Sequence, residues 1–234
     1  MQGSVSLSSV PAGTYSQGVN SEATLNKPFL LSVAKSSHQA VLADIYQDNI
    51  NMAVWERPLG LLSAYAHSLL TSSPNFAFKS QGDSAQIEVL LHRVLPDLPG
   101  KEAFLKDIVL LIDMFACLFG LDNVGLRLTA LSNAMCPRFH VDKILCRLVS
   151  TYAGVGSEWL HEAHVVRAHL GHGSHVADHN SGLHEKGRVN QLKAGDVALM
   201  KGNEWPTSLG FGVVHRSPMI SAEEPRLFLS LDMI

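Results

Sequence analysis

Apolar positions recur at helical spacing in three blocks of the first half of the chain. They are LGLLSAYAHSLLTS (59–72), SAQIEVLLHRVL (84–95) and KEAFLKDIVLLIDMFACLF (101–119). Asp83, three residues before Gln86, forms a capping pair that predicts a helix starting at 84. The third block is apolar on nearly every side, which predicts a buried helix. Its most apolar part, 108–121, is broken by Asp113 and is too short to span a membrane. Between the blocks, IYQDNINMAVWERP (45–58) keeps neither period and reads as irregular. Residues 1–27 are rich in Ser, Gly, Thr and Asn and read as a disordered tail.

After Asp122 the texture changes. VGLRLTAL (124–131), KILCRLVSTY (143–152), DVALMK (196–201), FGVVH (211–215) and RLFLSLDM (226–233) are short, β-rich and separated by Gly, Pro or Asn clusters. Such strands suggest a sandwich or barrel. The expected class is α+β, with a mainly helical part (28–121) packed on a β-rich core (122–234) in a single domain, 28–234.

Composition narrows the function. Of 234 residues, 46% are hydrophobic, enough for a sizeable core. The net charge is −3, with no basic run, which argues against nucleic acid and against a membrane surface as partners. The three cysteines, Cys117, Cys136 and Cys146, are odd in number and form no C-x-x-C. A reducing cytoplasm fits them, and the N-terminus has no signal-peptide pattern. Histidine is the anomaly, at 12 residues.

Two of these histidines frame the chemistry. In RFHVDK (138–143), His140 and Asp142 would share one face of a strand. Taken singly, each is more often an ordinary hydrogen-bonded His or turn Asp than a ligand, because His-x-Asp is a short motif in a histidine-rich chain. Further on, His215 ends a strand-like segment and Arg226 opens the last strand. Two His and one carboxylate make the facial triad of non-haem iron(II) sites, which leaves open positions on the metal. An Arg adds a planar fork of donors suited to a carboxylate.

FHVD (139–142), LKAGDVALMKG (192–202) and VVHRSP followed by RLFLSLDM (214–233) together resemble the iron(II)/2-oxoglutarate-dependent oxygenase superfamily, whose core is a double-stranded β-helix of jelly-roll or cupin-like form. The chain resembles more closely an uncharacterised bacterial family of unknown function, through NMAVWERPL (51–59), CPRFHVD (136–142), RLVSTYAGVGSEWL (147–160), GDVALMKG (195–202) and VHRSP (214–218). Genes of that family are linked with zinc limitation. The superfamily resemblance implies iron(II) on His140, Asp142 and His215, and Arg226 gripping the distal carboxylate of 2-oxoglutarate. Gly195 and Asp196 match the turn that commonly precedes the strand leading toward the distal His. Many members place a hydroxyl residue two positions after the Arg, where this chain has Phe228, and Ser230 comes two later. By alternation Arg226, Phe228, Ser230 and Asp232 share a face, so Ser230 could assist, and Asp232 could instead pair with an Arg. Arg147 and Tyr152, on the strand after the His-x-Asp turn, are further co-substrate candidates.

A second feature is the insert HEAHVVRAHLGHGSHVADHNSGLHEK (161–186). It holds His161, His164, His169, His172, His175, His179 and His184. Histidine-rich tracts read as metal binding, here for zinc, and equally as a solvated polar insertion. Lying between Asp142 and His215, the insert is placed to fold over the mouth of the site. Two functions of different class follow. One is an iron(II)/2-oxoglutarate-dependent dioxygenase hydroxylating an unknown small-molecule or protein substrate. The other is a non-catalytic zinc protein for storage, transfer or sensing. A cupin-like binding module without redox chemistry is a third.

Overall fold

A computed structural model describes residues 31–170, 180–207 and 210–234. The tail read at 1–27 lies outside the described residues.

Two sheets and three α-helices make up the described chain. The order is β1 (Ser32–Ser36), a 3-10 helix (Gln39–Tyr46), β2 (Ile50–Trp55), α1 (Leu62–Ser72), β3 (Ala77–Gly82), α2 (Ser84–Val94) and α3 (Lys101–Phe119). Then come β4 (Val124–Leu131), β5 (Cys146–Ala153), β6 (Glu158–Leu160), β7 (Val189–Gln191), β8 (Val197–Lys201), β9 (Val214–Arg216) and β10 (Arg226–Met233). The three predicted helices form at the expected places. Asp83 caps α2 by accepting from the Gln86 N–H at 2.8 Å, with the Gln86 side chain returning to the Asp83 N–H.

The N-terminal half is mixed rather than mainly helical. It supplies β1, β2 and β3 to a seven-stranded sheet ordered β1-β2-β8-β5-β10-β4-β3. The segment read as irregular contains β2, which lies between β1 and β8. Its INMAVW run is buried at five of six positions. A strand covered on both faces carries no polar alternation, so its period was hidden.

From β4 onward the chain wraps back and forth between the large sheet and a small one, β7-β6-β9. The His140 segment extends the small sheet: the His140 and His215 backbones exchange N–H···O bonds, both at 3.0 Å. So β4, β5, β8 and β10 face the His140 segment, β6, β7 and β9, which is the wrapping of a double-stranded β-helix.

Alternation along the central strands sorts their side chains. Leu148 and Tyr152 of β5, and Leu227, Leu229 and Leu231 of β10, pack under the helices with Phe104, Ile108 and Phe115 of α3. Each fully buried apolar side chain here contributes ~2 kcal/mol. The other face of β5, β8 and β2, with Val149, Ala198, Met200, Met52 and Val54, packs against Trp159 and Val213 of the small-sheet side. The interior between the sheets therefore also receives Arg147 and Thr151 from β5, and Arg226, Phe228, Ser230 and Asp232 from β10.

A candidate metal centre between the two sheets

Phe139 and Val141 point outward into a small apolar cluster with Leu160 and Val214. Period two then sends His140 and Asp142 inward. The same alternation on β9 sends Val214 out and His215 in. His140 Nε2 lies 3.5 Å from Asp142 Oδ1, and His215 Nε2 lies 3.5 Å from Asp142 Oδ2. Among the described residues this is the group of three metal-ligand side chains that converges, with its ligand atoms within 4.8 Å of one another. Ligands at ~2.1 Å from one ion stand about 3.0–3.4 Å apart, so a slight inward shift of the side chains would seat a divalent ion.

Backbone carbonyls set the imidazole tautomers. His140 Nδ1 donates to Arg138 O at 2.9 Å, and His215 Nδ1 donates to Val213 O at 3.1 Å. A carbonyl can only accept, so the proton sits on Nδ1 and each Nε2 keeps its lone pair for a metal. Burial drives the His215 pKa down to about 4, against the pull of Asp142, and so keeps the ring in its neutral, ligating form. Burial also works against charge on His140, but in the protonated ring Nε2–H bonds to Asp142, and this prevails and raises the pKa. At Asp142, burial opposes ionisation. A hydrogen bond from the protonated His140 ring and the charge of Arg147 outweigh it and hold the carboxyl well below its usual range.

Arg147 is not free to meet a co-substrate. Its Nη1 donates to Asp142 Oδ2 at 2.7 Å, while Nε and Nη2 fork onto Asp232 at 2.6 and 3.1 Å. Its structural position is thus behind the Asp142 carboxylate of the candidate triad. Tyr152 faces away from the triad. It lies on the helix-facing side of β5, fully buried, with its hydroxyl donating to Asp107 of α3 at 2.6 Å. One residue of offset from Thr151 turns a side chain to the opposite face.

Arg226 lies at the other end of β10 from Asp232, ~20 Å along the strand. It is 1% exposed. Its Nη2 donates to Thr151 Oγ1 at 2.9 Å and to Ser157 Oγ at 2.8 Å, and its guanidinium stacks 4.3 Å from the Phe228 ring centroid. No carboxylate among the described residues pairs with it, and burial alone lowers its pKa to about 9. Ser230 is buried on the same face, between Arg226 and Asp232. Gly195 and Asp196 form the turn into β8, with Gly195 at φ +100° and the Asp196 carboxylate accepting from the Lys193 N–H at 2.8 Å.

Residues 36–232 match the family described as Protein of unknown function (DUF1826). The chain belongs to this family. No curated protein matches it. Solved structures similar to this DUF1826 protein include a Pseudomonas putida prolyl-4-hydroxylase, at 13% identity and a TM-score of 0.43, covering 83% of this chain and 90% of the other. JOX2 in complex with 2OG, Fe and JA aligns at 8% identity and a TM-score of 0.44, over 86% and 74% of the two chains. A rice dioxygenase for auxin oxidation aligns at 15% identity and a TM-score of 0.42, over 83% of this chain and 62% of its own. The DUF1826 chain thus spans less than two thirds of the rice enzyme's length.

The described part of the histidine-rich insert lies elsewhere than expected. Val165, Leu170 and Leu183 pack on Phe139, Leu160 and Val214, so its described part covers the outer face of the small sheet and not a mouth between the sheets. Arg167 fastens it, with a fork onto Glu162 and donations to Gly210 O and Gly212 O at 3.1 and 3.0 Å. His161 and His184 accept from nearby backbone N–H groups, and His164 Nδ1 faces the Arg188 backbone. With exposed His169, these four form no three-ligand cluster among the described residues. His172, His175 and His179 lie outside the described residues.

Sequence reasoning missed Thr151, Ser157 and Trp159. Alternation from Arg147 could have found Thr151. Nothing local marks the other two, whose placement depends on the facing sheet.

Proposed function

We propose that this DUF1826 protein is an iron(II)/2-oxoglutarate-dependent oxygenase. The observation that carries the reading is Arg226: a guanidinium buried in the same interior as the triad, with hydroxyl partners but no carboxylate. An unpaired buried charge is costly, and a ligand carboxylate reaching into the interior would offset that cost.

In this reading His140, Asp142 and His215 hold the metal, and Arg226 with Thr151 and Ser157 holds the far carboxylate of 2-oxoglutarate. Iron(II) and 2-oxoglutarate, when bound, supply the activation of O₂ that oxidises a substrate C–H bond. The chain's own part is to present two Nε2 lone pairs and one carboxylate from one side, leaving the opposite side open. Arg147 restrains Asp142 from behind. Val149, Ala198, Met200 and Phe228 give the interior beside Arg226 an apolar lining that would keep water from a ligand bound there.

The test is an anaerobic titration of metal-free protein with iron(II) and 2-oxoglutarate, following the visible charge-transfer band of the chelate. The band is expected in the wild type and absent in His140→Ala and Arg226→Met. If there is no band, and zinc binds tightly at more than one equivalent per chain, the zinc-handling reading replaces this one. Deletion of 161–186 should then remove the excess equivalents.

A further inference from the structure

Trp159 is 5% exposed, and its ring lies between the two sheets, in the cluster with Val149, Ala198, Met200 and Val213. Its indole Nε1 is sealed from solvent and has no hydrogen-bond acceptor. Among the described residues the other such side-chain atom is Ser150 Oγ, which belongs to the helix-facing side of β5. An indole N–H can only donate, and leaving it unmade in the interior costs on the order of 1–3 kcal/mol. Tryptophan in a sealed apolar layer ordinarily finds an acceptor.

The strand registers say what this donor stands beside. On β6, Trp159 pairs directly with His215 of β9, so their side chains rise from neighbouring points, ~5 Å apart, on the inner face of the small sheet. Two residues back along the same strand line, and therefore on the same face, is Ser157, ~7 Å away. The Leu192 N–H donates to Ser157 O at 2.9 Å, which continues the β6–β7 ladder through this residue. Ser157 Oγ accepts from Arg226. The inner face of β6 therefore sets Trp159 between a metal-ligand histidine and the serine that touches the buried guanidinium. A ligand spanning from the triad to Arg226 along this face would lie against it.

We propose that Trp159 is a binding residue of this site. Its indole N–H donates to an oxygen of the bound 2-oxo dicarboxylate, so the ligand is held at three points: the metal, Trp159 and Arg226. This rests on the function proposed above. It adds a specificity element, because a ligand without an acceptor at that height leaves the indole unpaired and is disfavoured. Lys35, with Nζ 5.2 Å from the Trp159 ring centroid, stands on the ring's face and does not satisfy the N–H.

The test uses zinc-loaded protein, in which the metal is redox-silent and diamagnetic, labelled with 15N at tryptophan indoles. Trp55, Trp159 and Trp205 give three resonances, and Trp159→Phe identifies the one in question. Adding 2-oxoglutarate should move the Trp159 N–H resonance downfield and slow its hydrogen exchange. Trp159→Phe should weaken 2-oxoglutarate about tenfold, the scale of one hydrogen bond to a charged group, with zinc affinity unchanged. Unchanged zinc binding in that variant shows an intact fold; should it not fold, the wild-type resonance decides. If the wild type binds 2-oxoglutarate, Arg226→Met abolishes binding, and the Trp159 resonance and the Trp159→Phe affinity do not move, then Trp159 is overturned and the proposed function stands. If the wild type does not bind 2-oxoglutarate at all, both fall.

Discussion

Replacing Arg147 by Met should weaken the metal-free fold and tighten metal binding. Arg147 bridges two carboxylates with three charge-assisted hydrogen bonds. Its side chain is 23% exposed, and those of Asp142 and Asp232 are 16% and 30% exposed. Breaking a fully buried pair costs about 3–5 kcal/mol, and exposed pairs are worth under about 1, so these partly screened ones should cost about 2–3 kcal/mol. The loss should depend on metal. With zinc bound, Asp142 already has a cation, and removing the guanidinium relieves its repulsion of the ion. The destabilisation should then shrink by about 1 kcal/mol. By linkage the same difference appears as roughly fivefold tighter zinc binding in the variant. Urea denaturation with and without zinc, together with competitive zinc titration, measures both quantities. Weaker zinc binding in Arg147→Met would refute the reasoning, since it would mean that orienting Asp142 outweighs the charge of Arg147. Equal destabilisation with and without zinc would refute it as well.

Two further outcomes follow from the structure. Gly195→Ala should destabilise by at least about 2 kcal/mol in thermal or urea unfolding, because φ is +100° and a Cβ would lie 2.3 Å from the Arg57 carbonyl oxygen; a loss below 0.5 kcal/mol, well under that ~2 kcal/mol floor, would contradict it. In the metal-free protein, His215 takes up its proton near pH 4 when folded and near its ordinary 6.5 when unfolded. The unfolded state therefore binds more protons between these values, and stability should fall by up to about 3 kcal/mol as pH drops through that window. His215→Asn should lack this component, and equal slopes for the two proteins in urea unfolding between pH 7 and 4 would argue against it.

Much of the local structure was legible in the chain itself. The Asp83–Gln86 pair marked the start of α2, the apolar periodicity of 101–119 marked α3, and VGLRLTAL and RLFLSLDM coincide with β4 and β10. Period two around Phe139 and Val141 was enough to set His140 and Asp142 on one face. These features are written by nearest neighbours along the sequence, where side-chain direction follows backbone period. β2 escaped because burial on both faces erases alternation. Tyr152 was a co-substrate candidate because the chain alone does not say which side of its strand faces the helices and which the interior.

What only the tertiary structure decided is which groups meet. Arg147, Arg226 and Asp232 share one face, and the chain alone said only that Asp232 could pair with an Arg. Pairing β10 with β5 set Asp232 opposite Arg147, and that left Arg226 buried without a carboxylate. The outward packing of the described part of the histidine insert, and the position of Trp159 between His215 and Ser157, were settled in the same way. The hydrophobic pattern of a strand restricts its register, but which distant strand it pairs with, and so which side chains meet, depends on the faces that are buried together.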